Sequence, residues 1–219
     1  MISDNPAPIG SLRPGGRAHS PEQVARIPLV GTWLLIGADF FLLLPLFFAF
    51  FLLQETNNNH MWKPAGVQAP NQALGAVIFV LVAVGILVAH SGLKHLQSQS
   101  TLARFTGTGR LAALLLLAAV VVDIWQLSHA GFGISSGSYP SVFFAMWIFL
   151  AIQVVAVALW VLSLANRASY ESQHPIAMPD PDAEVEVATP ISALAQSYGM
   201  FAIFVGVAVL LGWLVSYFL

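Results

Sequence analysis

Cysteine is absent from the 219 residues, and charge is scarce: only 8% are Asp, Glu, Lys or Arg. Without a thiol there can be no disulfide, thiolate metal site, iron–sulfur cluster or haem attached through a Cys pair. A soluble domain carries roughly 25% charged residues. This chain cannot build a polar surface of that kind, so its surface must face lipid. No block of basic residues is present, and the net charge is −2, which excludes nucleic acid as an expected partner. No Gly-rich phosphate loop and no Ser-His-Asp arrangement occurs.

What is there is apolar: 58% of the residues are hydrophobic. Five stretches stand out, at 29–53, 73–89, 111–127, 142–165 and 200–219. A helix needs about 20 residues to cross roughly 30 Å of hydrocarbon. The second and third stretches are the shortest, and flanking residues are expected to extend them. Pro70 and Asn71 can open a helix, and Ser128 can lie in the interface. The fold class is therefore all-α, a polytopic bundle of five transmembrane helices. Residues 1–28 are read as a polar amino-terminal tail, and 29–219 as the five-helix transmembrane domain. The tail is rich in Pro and Gly and has no apolar run of signal-peptide length. The first apolar stretch is too long for a cleaved signal, so it is read as a retained helix.

Lys and Arg set the orientation. Arg13, Arg17 and Arg26 lie in the tail, Lys94, Arg104 and Arg110 in the second loop, and Arg167 in the fourth. On the other side stands Lys63 alone. The positive-inside rule then places the amino terminus inside and the carboxy terminus outside. The loop 54–72, with Trp62, is expected to form an ordered cap at headgroup level. The longest loop, 166–199, carries Asp180, Asp182, Glu184 and Glu186 and is read as a solvated linker.

Four polar residues inside or near the spans are the candidates for chemistry or contact. Asp39 falls near mid-membrane, where a carboxyl costs about 2.5–3.5 kcal/mol on insertion scales. No basic residue lies inside any span, so Asp39 must be neutral, turned inward or met by another subunit. Asp123, beside Trp125 and Gln126, reads as an interfacial hydrogen-bonding group. Gln153 at mid-span reads as glue between helices. Pro45 predicts a kink in the first span. Ala202 and Gly206 form a small-xxx-small pair suited to close helix contact. The histidines make no metal site. His90 and His95 are poorly spaced to face together on a helix, His60 and His129 lie in outside loops, and His19 and His174 lie inside. None sits within a span, so no haem or copper is expected on this chain.

The run Gly31-Thr32-Trp33-Leu34-Leu35-Ile36-Gly37-Ala38-Asp39 resembles a helix opening in subunit III of haem-copper oxidases. There a Gly and an aliphatic–aromatic run lead to an intramembrane acid and paired phenylalanines, here Asp39, Phe40 and Phe41. Ala49-Phe50-Phe51, Trp62-Lys63-Pro64, Pro70-Asn71, Gln126 and Tyr139-Pro140-Ser141-Val142-Phe143-Phe144 are similar to further family positions in the same order. The likeness runs from about Gly31 to the last helix and corresponds to the shorter, five-helix members. Leu150 and Gln153 stand where the family has His, His129 where it has Glu, and Gly206 where it has Asp, which marks a divergent relative.

The resemblance implies a non-catalytic, non-redox accessory subunit of a proton-pumping respiratory terminal oxidase. It would pack on the catalytic subunit I, and with subunit II, in the cell's inner (plasma) membrane, and hold lipid. Haem and copper would reside in the partner, and Asp39 would face the bundle interior near the subunit I contact. Two other readings stand beside it: an accessory subunit of nitric oxide reductase, and a small membrane transporter or channel. The latter would need polar residues on several spans at one depth.

Overall fold

The structure is a computed structural model. It describes residues 21–57, 62–63, 66–67, 70–93, 99–173 and 191–218. Arg13, Arg17, Lys94, His19, His60, His95, His174 and the acidic run 180–186 lie outside the described residues. Five helices make up the architecture: α1 (Pro21–Thr56), α2 (Gln72–Leu93), α3 (Gln99–Ser128), α4 (Ser138–Gln173) and α5 (Ile191–Phe218). Each is long and apolar enough to span a membrane, and no strand occurs among the described residues.

The helices outrun the apolar stretches that announce them. α1 reaches back to Pro21, ahead of the stretch that starts at 29. The polar segment expected at 90–110 is helical at both ends, up to Leu93 and again from Gln99. A hydropathy run marks the hydrocarbon layer, whereas a helix goes on for as long as its backbone hydrogen bonds do. At roughly 1.5 Å per residue, the 36 residues of α1 and of α4 extend about 54 Å, well beyond the lipid core. Local signals fix the starts. Asn71 caps α2, its Oδ1 accepting from the Ala73 amide at 2.9 Å, as a short polar side chain at that position does. Pro140 sits in the first turn of α4, where its missing N–H costs nothing. The Ser141 hydroxyl donates back to the Gly137 carbonyl at 2.8 Å. α1 runs through Pro45 as one continuous helix.

Contacts order α2, α3, α4 and α5 into a ring, each packed on the next and α5 closing on α2. α1 stays outside, against α4 and α5. Burial reflects this: 50% of the apolar window of α4 is buried but only 11% of that of α1. On α2 the buried positions Gly75, Ile78, Val82, Gly85 and Ala89 recur at three- and four-residue steps, a single seam turned to the core. Small residues let the backbones approach, as expected where no hydrophobic drive separates helix from lipid. Gly206 of the small-xxx-small pair lies against Ile86 of α2, and Ala202 is fully buried.

The helices alternate in direction. At one end α2 starts, α3 ends, α4 starts and α5 ends, tied by Gln126 to Tyr217 and Tyr139 to Ser216. At the other end Thr106 of α3 reaches the Ala165 carbonyl of α4, and Gly199 of α5 lies near His90 of α2.

Candidate functional site

One face of α1 is turned inward. Its buried residues Thr32, Leu43 and Phe50, with the half-buried Ile36, Asp39 and Phe47 between them, form a stripe at seven-residue spacing. The opposite face leaves Leu34, Phe41 and Phe48 exposed. Asp39 thus sits on the seam with the bundle rather than on the lipid face, and its carboxyl lies beside the carboxamide of Gln153 on α4. The two approach without meeting full hydrogen-bond geometry: both Gln153 amide atoms are buried and unpaired among the described residues. The arrangement lets a neutral acid and an amide exchange hydrogen bonds with a small side-chain movement. The ion pair among the described residues, Arg167–Glu171 at 2.8 Å, lies near the end of α4 and supplies no charge here.

A second polar group lies near the end of α3, where the sequence suggested a hydrogen-bonding position. Asp123 is only 2% exposed, as is Gln126. Trp125 between them takes the outward direction and stacks on His129. Inward and outward positions alternate too fast on a helix for proximity in sequence to mean a shared environment. Gln126 donates through Nε2 to the Tyr217 hydroxyl of α5, a tie across the ring. Next to it the Tyr139 hydroxyl donates to the Ser216 carbonyl, and the Trp147 indole Nε1 to the Ser216 hydroxyl, both at 3.2 Å.

An aromatic plug surrounds these bonds. Trp62 packs edge-on against Phe50 and Tyr139, with centroids 5.0 and 5.5 Å apart, and the Tyr139 amide donates to the Trp62 carbonyl at 3.2 Å. Trp62 of the first loop thus packs at the start of α4. Lys63 lies over the Tyr139 ring at 4.6 Å, and partial burial holds its ammonium below the ordinary lysine range.

The structure therefore joins Asp39 to Gln153, and Asp123 and Gln126 to a separate cluster. Sequence reasoning gave no bonding role to Tyr139, which it noted only in a family-like run, and did not single out Trp147, Ser216 or Tyr217. A Tyr or Trp near a span end looks like a membrane-interface anchor, and nothing local separates that from a buried hydrogen-bonding role. Among the described residues no three His, Asp or Glu stand close enough to hold a metal ion.

The family model for cytochrome c oxidase subunit III matches residues 18–175. That stretch takes in α1 to α4, with Asp39, Asp123, Gln126 and Gln153, and stops short of α5. No curated protein matches the chain. Matched over well more than half its length and folded as five membrane-spanning helices, the chain belongs to the cytochrome c oxidase subunit III family and is a subunit III-like component of a haem-copper oxidase.

Proposed function

We propose that the chain is a non-redox accessory subunit of a respiratory terminal oxidase, seated beside catalytic subunit I and with subunit II in the plasma membrane. Its work is to support the assembly and stability of the catalytic subunit and its supply of protons and oxygen. The observation that carries this reading is the position of Asp39: an acid at mid-span, in the family-matched region, on the inward seam of the outermost helix. A carboxyl there is tolerated because packing shields it. On a helix so little buried, a neighbouring subunit is the natural completion of that shield.

Haem and copper belong to the partner subunit in this reading. The described histidines, His90 and His129, are at helix ends and exposed. Arg26, Arg104, Arg110 and Arg167 mark one end of the bundle and Lys63 the other, which favours a cytoplasmic amino terminus. A transporter gains nothing from the geometry, since the mid-span polar residues form one pair rather than a lined path.

Asp39→Ala tests the proposal. The mutant complex is expected to assemble less well and to lose activity faster during turnover, with the optical spectra of its metal centres intact. An unchanged yield and unchanged durability would contradict the role.

A further inference from the structure

α1 leaves one backbone group short of a partner. Pro45 has no N–H, so the Phe41 carbonyl lacks the bond that the residue four places on would give it. The helix nevertheless continues through this point. Membrane helices tolerate such a proline where a neighbouring helix or a hydroxyl side chain supplies the missing donor. Among the described residues neither source is at hand. Thr32 and Thr56, the hydroxyl residues of α1, already donate to the Pro28 and Leu52 carbonyls at 2.8 Å. The carbonyl lies between Phe41 and Pro45 on the helix surface. Phe41 is 73% exposed and Pro45 is exposed as well, so this side turns away from α4 and α5.

Two features flank the carbonyl. Beyond it, Leu44, Pro45, Phe47, Phe48 and Phe51 wall an apolar groove along α1. One turn before it stands Gly37, where a Cβ would meet nothing within 4 Å, which leaves room for another backbone to come close. The carbonyl itself is at the middle of the apolar stretch 29–53. At that depth there is no water, and an acyl chain carries no donor. A lipid fills the groove but not the bond, whereas a protein helix with a polar side chain does both.

We propose that this face of α1 is the docking seam for a transmembrane helix of a neighbouring subunit, one that lays apolar residues in the groove and brings a serine or threonine hydroxyl to the Phe41 carbonyl. The inference rests on the reading of the chain as one subunit of a larger complex, and adds the face used and the chemistry that selects its occupant. It concerns the side of α1 opposite Asp39, so the two contacts are separate.

Photocrosslinking in the purified complex tests it. A benzophenone amino acid in place of Phe48 should label a membrane helix of another subunit. That helix should carry a serine or threonine at the depth of Phe41, about two turns from the label. Changing that hydroxyl residue to Ala should lower the amount of chain retained in the complex several-fold. In Pro45→Ala the restored N–H bonds the carbonyl within α1, so the same change should then cost nothing further. The labelling reads the contact without any change at Pro45, should that variant fail to assemble. Labelling of lipid alone or of a second copy of this chain, a labelled helix with no hydroxyl at that depth, or an equal loss in both backgrounds would overturn the proposal. A complex that carries haem while only lipid is labelled would sink this contact and leave the proposed function standing; a chain with no haem-bearing subunit beside it would count against both.

Discussion

Ser216 shows how much a single small side chain can carry. Its hydroxyl accepts from Trp147 Nε1 and its carbonyl from the Tyr139 hydroxyl, at a site where Trp147 is 1% exposed. Ser216→Ala removes the acceptor and strands the indole N–H, a loss of about 1–3 kcal/mol. Trp147→Phe removes the donor instead and leaves a hydroxyl free to turn to another acceptor, so much of its cost is lost ring volume. Unfolding in mixed micelles is expected to show that Ser216→Ala costs little once Trp147→Phe is present, a non-additivity diagnostic of direct contact.

Glycines give a second test at this scale. A Cβ on Gly75 would meet Tyr217 at 2.6 Å and Trp213 at 2.7 Å. Both rings are pinned, Tyr217 by Gln126 and Trp213 by stacking on Phe79. A Cβ on Gly212 would meet only the Leu150 Cδ1 tip at 2.6 Å, which can rotate away. Gly75→Ala should therefore destabilise by about 1–3 kcal/mol through overpacking. In Gly212→Ala the helix-propensity gain of roughly 1 kcal/mol offsets the crowding, leaving the midpoint nearly unchanged.

Among the elements, α1 is the one whose attachment is in question. Among the described residues it packs mainly on α4 and α5 and buries a narrow stripe. Asp39 in that stripe and Gln153 facing it from α4 each cost desolvation and each offset the other's. Gln153→Leu alone leaves the acid facing hydrocarbon. It should weaken the α1–bundle association by roughly 1 kcal/mol, the usual scale of polar contacts between membrane helices. Adding Asp39→Leu should restore it. Crosslinking between cysteines placed on α1 and α4 reads the association; equal loss in the single and double mutants would mean that the two side chains are not coupled.

The individual helices were legible from sequence because a membrane span writes its own length in apolar residues. Their arrangement was not. Nothing in the order of the stretches says that α1 passes over α2 and α3 to pack on α4 and α5, so Asp39 and Gln153 could each be suspected but not paired. Gln126 and Tyr217, 91 positions apart, are a similar case. For Asp123 the sequence left the facing direction open, because its neighbour Trp125 belongs to the outer face of the same helix.

At the scale of the whole molecule, the bundle is a closed ring of four helices with a fifth laid on its side, matched to the subunit III family over its first four helices. Such a body has a close-packed apolar core and one largely uncovered apolar helix. That suits a subunit that supports chemistry performed elsewhere. The direct measurement is purification of the tagged chain from its native membranes in mild detergent, with an optical haem spectrum taken of what comes with it. The account predicts haem absorbance from a co-purified catalytic subunit, lost when the chain is separated from its partners. A chain that purifies without any haem-bearing subunit, or that keeps haem when alone, would contradict it.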